Sequence, residues 1–455
     1  MVEANGIPSK QHEVVIPAVI LAASGCDNLL PLTNDTPKAL ITVGNRTLVA
    51  GTIDNLVAAG VKQIHVFVSN GDKQRIEEHL NMEFTKGNSD KGHILDISVH
   101  SVGGADASLP STSQVIKRAA QMLQSAFIVV PCDLYGTFNL QGLIKNHFSS
   151  ERLCTIALME DKQDARAGKK GKEQADDQIA PGGNPMRGWG YKYKVMATLD
   201  VEHSQIVGIA AFLTLTSGES YDINKWTLRM HPKCTVRCDL YDPHIYVFSK
   251  HIIDVLNAPS LEQASVRLDL IPYIIKRQDA PLNITSNDQA QATALVQRDN
   301  MKNDTMRIFQ FPDVGDALKC CRVNSIETYM KVSMQRCFDK EYRTNNSSIE
   351  ATGAKIRDVL NGAGCKVGVG TNVKASILGE NVVIGKGCTL SKCVIMNNVT
   401  LEDNVVLDRC ILAEGAIVST NVTLKHVVVA PKHTVPSNTR VECDFLPSFI
   451  EPSAL

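Results

Sequence analysis

The first third of the chain alternates apolar runs with segments whose apolar residues recur at helical spacing. Val14 to Ala23 is almost continuously apolar, as is typical of a strand buried on both faces of a parallel sheet. Thr47 to Ala59 has the pattern of a helix, and Gly60 follows as its stop. Gln63 to Ser69 is strand-like again. Together these segments predict one strand–helix–strand unit.

The same alternation continues beyond this unit. It predicts a helix near Asp72 to Leu80, a strand at Ile94 to Ser101, a helix opening at Ser111-Thr112 and a strand at Phe127 to Pro131. Such alternation is typical of a parallel sheet covered by helices. We therefore predict a Rossmann-like α/β domain of the nucleotide-binding type over residues 14–278, after a polar tail at residues 1–13.

The second half of this domain is less regular. Residues 160–192 are rich in Lys, Gln, Asp and Gly, a composition that predicts a solvated, mobile insertion. Further segments with strand or helix patterns are Lys194 to Leu199, Gln205 to Phe212, Tyr241 to Phe248 and Leu268 to Lys276. The chain is then polar and loosely patterned, so we predict a linker and connecting region at residues 279–364.

Beyond Cys365 an apolar residue recurs at every fifth or sixth position. These residues are Val367, Val373, Leu378, Ile384, Leu390, Met396, Leu401, Leu407, Leu412, Val418 and Leu424. Helices repeat near 3.6 and half-buried strands at 2, so this period indicates stacked coils with flat faces. We predict a parallel β-helix of about four coils over residues 365–441 and a tail at 442–455. The alternative, a β-sandwich, would have turns every 8 to 12 residues.

Charge and composition exclude several classes of function. The 47 basic residues are balanced by 48 acidic ones, so no net field draws the chain to nucleic acid or to an anionic membrane. No apolar run is long enough to span a bilayer, and we expect a cytosolic protein. Thirteen scattered cysteines, without a paired Cys-x-x-Cys, are interpreted as small core residues, with neither a metal nor another cofactor expected.

The ends of the predicted parallel strands are where chemistry is expected. Ligands of such sheets bind outside the carboxyl ends of the strands, which here means the loop after Ala23 and Asp133, just past Pro131. Asp133 is either part of such a site or a loop residue that caps the next element. Lys38 faces either a phosphate or the solvent.

One long stretch of the N-terminal region resembles the signature of sugar-nucleotide pyrophosphorylases. It comprises residues 21–33, Pro37-Lys38-Ala39-Leu40 and Val43-Gly44-Asn45-Arg46. In that family a glycine-rich loop ending in arginine holds the nucleoside triphosphate. The resemblance implies a pyrophosphorylase-like domain in which Lys38 and Asp133 occupy family positions. Asp133 corresponds to the carboxylate that helps bind the metal in active members.

This chain departs from the family at the residues that matter for transfer. Ala23, Ser24 and Cys26 stand at glycine positions, and Asn28 stands at the arginine position. Asparagine cannot offer the charged fork that stabilises a leaving pyrophosphate. In the second half, Asp242-Pro243-His244 replaces a sugar-binding segment with glycine, which adds bulk and stiffens the beginning of the strand. We therefore expect a vestigial nucleotide pocket around Lys38 and Asp133.

The same departures resemble the gamma subunits of eukaryotic translation initiation factor 2B. The resemblance rests on Asp242 to Phe248, Arg267 to Gln278 and Tyr329-Met330, and it covers nearly the full chain. It implies a left-handed β-helix and a scaffold role in a guanine nucleotide exchange factor. The implied partners are an epsilon subunit in direct contact, the alpha, beta and delta subunits, and the GTP-binding initiation factor 2. No helical domain is expected after Val441, as suits gamma rather than epsilon.

Two enzymatic alternatives remain open from the sequence. The first is an active sugar-nucleotide pyrophosphorylase of the GDP-mannose type, which needs Asp133 to bind Mg²⁺ and Lys38 to meet phosphate. The second is an acyltransferase, because hexapeptide β-helices occur in those enzymes too. His426 and His433, at the end of the predicted β-helix, are interpreted as exposed loop residues and do not favour it.

Overall fold

The fold consists of an N-terminal α/β domain and a C-terminal β-helix. The computed structural model describes residues 16–23, 27–85, 95–103, 110–149, 152–160, 194–202, 204–211, 221–223, 225–278, 306–310, 321–338, 350–351 and 353–446. The predicted insertion at 160–192 therefore lies outside the described residues, apart from Glu160. Among the described residues, none of the helices combines the length and apolarity that crossing a bilayer requires.

A ten-stranded sheet forms the centre of the α/β domain, in the order β11-β9-β10-β13-β8-β12-β6-β1-β4-β5. The strands of this domain are β1 (Ala18–Leu21), β2 (Thr42–Val43), β3 (Arg46–Thr47), β4 (Gln63–Ser69), β5 (Asp96–Val102), β6 (Phe127–Pro131), β7 (Leu134–Tyr135), β8 (Cys154–Glu160), β9 (Lys194–Asp200), β10 (Gln205–Ala211), β11 (Cys234–Tyr241), β12 (Tyr246–Phe248), β13 (Met306–Gln310) and β14 (Cys321–Arg322). β5, β4, β1 and β6 are parallel neighbours, which agrees with the strand–helix alternation of the sequence.

Helices cover both faces of this sheet. They are α1 (Leu48–Ala58), α2 (Lys73–Thr85), α3 (Thr112–Leu123), α4 (Leu140–Phe148), α5 (Lys225–Met230), α6 (Ile252–Leu256), α7 (Ile271–Gln278) and α8 (Ile326–Phe338), with a π-helical turn at Val266–Leu270. α3 begins with a capping box between Ser111 and Gln114, which satisfies orphan backbone donors at both residues. One core lies between the sheet and α3, α6 and α7, and another lies under α1 and α4.

The α/β domain extends past residue 278, which corrects the predicted boundary. β13, inside the predicted linker of residues 279–364, pairs in parallel with β8 from Met306↔Cys154 to Gln310↔Leu158. This strand is only five residues long and follows a long polar stretch, so local pattern did not separate it from a linker. The predicted strand from Tyr241 to Phe248 is also divided, because β11 ends at Tyr241 and β12 begins at Tyr246.

The C-terminal domain is a β-helix with three parallel sheets of six strands each. The first sheet contains β15 (Glu350–Ala351), β18 (Lys366–Val367), β21 (Val383–Ile384), β24 (Thr400–Leu401), β27 (Ile417–Val418) and β30 (Thr434–Val435). The second contains β16 (Lys355–Arg357), β19 (Asn372–Lys374), β22 (Thr389–Ser391), β25 (Val406–Asp408), β28 (Thr423–Lys425) and β31 (Arg440–Glu442). The third contains β17 (Leu360–Asn361), β20 (Ile377–Leu378), β23 (Val394–Ile395), β26 (Ile411–Leu412), β29 (Val428–Val429) and β32 (Phe445–Leu446).

The described residues of the stack form six coils, which corrects the predicted number of about four and the predicted start at Cys365. The first coil was missed because it is less apolar: Ile356 is 37% exposed, between Lys355 and Arg357. One inward residue was also assigned wrongly, since Ile395 lies in the core of the stack and Met396 packs outside it. The three sides of a coil differ in length. Counting a fixed six residues from Leu390 therefore reaches Met396, one residue past the inward Ile395.

Left-handed backbone conformations turn the chain at the corners of each coil. Asn404, Asn421 and Asn438 have φ of 59°, 58° and 60°, which asparagine tolerates better than most residues. They stack with partners 17 residues away, since the Asn404 amide donates to Asn421 at 3.3 Å and the Asn421 amide donates to Asn438 at 3.4 Å. His426, with φ of 51°, lies at another corner, and His433 is 7% exposed, so it is not the exposed loop residue that was predicted.

The third sheet of the β-helix faces the α/β domain. Its outward residues join a shared apolar cluster with α8 and with the chain between residues 29 and 48. The β-helix contributes Leu360, Ile377, Val394, Ile411 and Val428, whereas Tyr329, Met330 and Val332 belong to α8. An exposed ion pair, in which Lys432 Nζ donates to Asp35 Oδ2 at 3.0 Å, lies beside this junction.

Candidate functional site

The residues predicted from the nucleotidyltransferase signature lie at the carboxyl ends of the parallel strands. Asp133 follows β6 after Cys132, and Lys38 begins a 3₁₀ turn that ends at Leu40. Asn28, at the family's arginine position, is exposed in the turn Asp27–Leu29. Ser24 and Cys26, from the degraded phosphate loop, lie outside the described residues. The fold brings the side chains of Lys38 and Asp133 into contact.

The Asp133 carboxylate is fully buried and forms ion pairs with two cationic side chains. Arg322 Nε donates to Asp133 Oδ1 at 2.8 Å, and Arg322 Nη2 donates to Oδ2 at 3.0 Å. Lys38 Nζ forms an ion pair with the same carboxylate. Burial alone would raise the pKa of Asp133, but the positive charges of Arg322 and Lys38 outweigh it and lower that pKa. We call these three residues the Asp133 cluster.

The Asp133 cluster bears on the alternatives that the sequence leaves open for Lys38 and for Asp133. Lys38 is buried at 8% exposure and faces Asp133, so it does not point into solvent. The Asp133 side chain is occupied by two cations, which a loop residue that merely caps an element would not need. A role for either residue in binding nucleotide stays a prediction.

Arg322 is the member of the cluster that sequence reasoning missed. It lies on β14, which pairs antiparallel with β7 through Cys321↔Tyr135 and Arg322↔Leu134. The Val323 N–H also donates to the Asp133 carbonyl at 2.8 Å. The available signal was an arginine between Cys321 and Val323, two residues that are buried. A buried arginine in apolar surroundings requires a carboxylate partner, although the sequence does not say which one.

The Asp133 cluster does not suit the divalent metal that the fold family implies. Mg²⁺ and similar ions bind carboxylate oxygens with free lone pairs and a negative surplus. Here both carboxylate oxygens already accept from cations, and one negative charge faces two positive ones. Nowhere in the described ranges do three or more His, Cys, Asp or Glu side chains gather as a metal site would need.

Asp242 and His244 form a second, structural arrangement beside the cluster. Asp242 Oδ1 accepts from the His244 N–H at 2.7 Å, and Oδ2 accepts from the Tyr246 hydroxyl at 2.9 Å. His244 has a φ of 61°, so this short loop after β11 turns sharply before β12. Arg267 Nε lies 3.8 Å from Asp242 Oδ2.

Burial raises the pKa of the Asp242 carboxyl group, and the positive charges of Arg267 and Arg322 oppose this rise. Arg322 therefore acts on Asp133 and, more weakly, on Asp242. The charge of Arg322 thus acts to lower the pKa of both carboxyl groups at this end of the sheet.

Comparison with protein families identifies both domains. Residues 17–169 match the nucleotidyl transferase family, and residues 339–441 match the left-handed β-helix domain of the EIF2B epsilon subunit. The second match gives the hand of the β-helix, which the repeat alone leaves open. The predicted fold class, an α/β nucleotidyltransferase-type domain followed by a hexapeptide β-helix, is confirmed.

Comparison with individual proteins separates long matches from short ones. The chain is 26% identical to the translation initiation factor eIF2B subunit gamma of Schizosaccharomyces pombe, over 78% of this chain and 72% of that protein. It is 23% identical to the eIF2B subunit epsilon of Dictyostelium discoideum, over 60% of this chain but only 35% of that protein.

Matches to sugar-nucleotide enzymes are much shorter. The putative UTP–glucose-1-phosphate uridylyltransferase of Methanocaldococcus jannaschii is 40% identical over 67 residues, 15% of this chain and 23% of that protein. This share of the chain is much smaller than the 78% and 60% covered by the two eIF2B subunits. The chain is thus similar over most of its length to an eIF2B gamma subunit, and its nucleotidyl transferase region precedes a region that matches the eIF2B-type left-handed β-helix.

Proposed function

We propose that the chain is a subunit of the guanine nucleotide exchange factor for translation initiation factor 2, acting in the cytosol. The observation that carries the proposal is the order of a nucleotidyl transferase domain and an eIF2B-type β-helix in one chain. A gamma subunit matches this arrangement over 78% of the chain. Exchange is promoted by binding the G protein in a state of low nucleotide affinity, which requires differential binding and no covalent step.

The isolated chain is proposed to be catalytically inactive. Nucleotidyl transfer needs a metal at the carboxylate and positive charge on the departing pyrophosphate. Asp133 is engaged by Arg322 and Lys38, and Asn28 is neutral. Both features support a pocket that survives as architecture, while Lys38 and Asp133 remain the residues through which a vestigial nucleotide pocket would act.

The proposed partners are those that the gamma family implies. They are an epsilon subunit in direct contact, the alpha, beta and delta subunits, and the GTP-binding initiation factor 2. The near-zero net charge of −1 supports contacts with proteins rather than with nucleic acid or a membrane surface.

Affinity purification tests this assembly. The tagged full-length chain, expressed near its natural level, is purified from cells, and the intact complex is weighed by native mass spectrometry. We expect the other four subunits and the G protein to copurify. Recovery of the chain without any of them, under conditions in which a tagged epsilon subunit retains its partners, contradicts the proposal.

A second candidate is an active sugar-nucleotide pyrophosphorylase, favoured by the local identity of 40% with a uridylyltransferase. The test measures pyrophosphate release by the purified chain with Mg²⁺, using UTP with glucose-1-phosphate and GTP with mannose-1-phosphate. Turnover at an ordinary enzymatic rate, about 1 per second or more, that disappears in Asp133→Asn while circular dichroism shows this variant still folded, supports this candidate. A rate equal to that of the Asp133→Asn control supports the scaffold.

A further inference from the structure

Arg322 contacts Asp133, the carboxylate at the family's metal position, through both arms of its guanidinium. The fold family uses this carboxylate to hold a divalent cation, whereas here a guanidinium donates to both of its oxygens at 2.8 and 3.0 Å. The planar fork of arginine matches a carboxylate bidentately, and it carries positive charge at every physiological pH. The positive charge that Arg322 places beside Asp133 is therefore a permanent part of the chain.

The segment that carries Arg322 continues directly into α8. Ser325 begins this helix, since its hydroxyl accepts from the Thr328 N–H at 3.1 Å and its carbonyl accepts from the Tyr329 N–H at 2.9 Å. Only Val323 and Asn324 separate Arg322 from this cap. Because the connection is so short, a displacement of Arg322 from Asp133 would move the beginning of α8.

α8 in turn lies between the two domains. The Tyr329 hydroxyl donates to the Thr42 carbonyl at 3.0 Å, and the Arg336 guanidinium lies 5.3 Å from the Tyr135 ring centroid. On its other side α8 packs against β20, and Tyr329 and Met330 share an apolar cluster with Ile377. The helix thus contacts the hairpin β2–β3, the strand after Asp133 and the outer face of the β-helix.

We infer that Arg322 is a built-in replacement for the metal ion, and that it converts the former metal carboxylate into an anchor for α8 and the β-helix. The Asp133 cluster then contributes to the relative position of the two domains. This inference concerns the chain's own architecture and does not rest on the proposed function.

Hydrogen exchange of the α8 amides in the full-length chain tests the anchor. In Arg322→Met we expect the amides of residues 326–338 to exchange about tenfold faster than in the unmodified chain, because losing one partner of a buried ion pair releases the local structure. Arg322→Lys keeps the charge without the fork and should give a smaller increase. Unchanged exchange of α8 in Arg322→Met would overturn the inference.

Arg237→Met provides a control outside the hairpin that α8 contacts. Arg237 also donates to an aspartate, with Nε to Asp239 Oδ1 at 2.9 Å and Nη2 to Oδ2, but the Asp239 side chain is 50% exposed and Arg237 lies on β11, which pairs with β8 and β9. Exchange of α8 should be the same in this variant as in the unmodified chain. Equal acceleration in Arg237→Met and Arg322→Met would contradict a specific anchor.

A metal titration on the unmodified chain tests the replacement, with Asp133→Asn as a control under conditions in which that variant remains folded. Mn²⁺ is titrated into the full-length chain, and its binding is followed by electron paramagnetic resonance. We expect no stoichiometric Mn²⁺ site that depends on Asp133. One Mn²⁺ bound per chain, lost in Asp133→Asn, would show that Arg322 yields the carboxylate to a metal and would overturn the inference.

Discussion

The nucleotide pocket and the β-helix of this chain are built on opposite plans. The pocket joins Lys38, Asp133 and Arg322, which lie far apart in the sequence, through buried charges. The β-helix repeats the same layer along its axis, with hydrogen-bonded partners 17 residues apart, and its inward residues are uncharged. The α/β domain thus adds one buried cluster of charges to its apolar cores, whereas the β-helix is stabilised by many similar apolar layers.

Asp133→Asn is expected to have the largest effect. The substitution leaves Arg322 and Lys38 buried without a carboxylate, which costs about 3–5 kcal/mol of unfolding free energy. Urea denaturation of the full-length chain, followed by a probe in the α/β domain, measures the loss. Asp54→Asn is the control, because that carboxylate also receives both arms of an arginine but is 52% exposed, so its removal should cost about 1 kcal/mol or less. Equal losses would remove the distinction between buried and exposed clusters.

Leu407→Ala is expected to have the next largest effect, in the other region. Leu407 is fully buried between Leu390 and Leu424 of the neighbouring coils, so its truncation should cost about 3 kcal/mol through lost burial and a cavity. Thermal unfolding of the β-helix measures it. The neighbouring Val406 points outward and is 38% exposed, so Val406→Ala should change the melting temperature little. A similar loss in both variants would contradict the inward and outward assignment.

The two plans also explain how much the sequence could predict. In the β-helix each inward position is repeated, so a local count located the domain, although it chose Met396 instead of Ile395. The first and last coils have only one neighbour to cover them, and their residues are correspondingly more polar. Periodicity is therefore weakest where the domain begins and ends.

In the α/β domain, prediction succeeded for segments with their own pattern and failed for pairings. β4 and β6 were predicted with the bounds that the structure shows. β14 contains only Cys321 and Arg322, and two residues carry no periodicity. The partner of Asp133 is determined by tertiary pairing with β7, which no local signal encodes. The family signature placed Lys38 and Asp133 at family positions, and the ion pair between them is visible only in the structure.

A pH dependence of intermediate size is expected from His147, which is buried between α4 and β8. Burial lowers the pKa of His147 from 6.5 to about 4, and its Nδ1 lies 2.8 Å from Thr155 Oγ1. The unfolded chain binds a proton at His147 more readily than the folded chain does. The stability that neutral His147 contributes is therefore complete above pH 6.5 and is lost as the pH falls toward 4. We expect about 2 kcal/mol lost between pH 7 and pH 5.

Chemical denaturation at several pH values measures this dependence. His147→Gln should flatten the slope between pH 7 and pH 5, but not abolish it, because burial also lowers the pKa of His65 and His100. Asp133 does not contribute in this window: its lowered pKa means that its stabilisation is present above about 3.8 and lost only below it. An unchanged slope in His147→Gln would refute the assignment.

The smallest effect is expected at the exposed ion pair between the domains. Lys432 and Asp35 are in contact at 3.0 Å, but their side chains are 77% and 49% exposed, so water and salt screen the attraction. Lys432→Met should change the unfolding free energy by about 0.5 kcal/mol or less, and the remaining difference should vanish in 1 M salt. The Asp133 cluster is shielded from solvent, so the same salt should hardly alter the cost of Asp133→Asn. If Lys432→Met were as costly as Asp133→Asn, the position of the β-helix would depend on surface charge rather than on the buried anchor beneath α8.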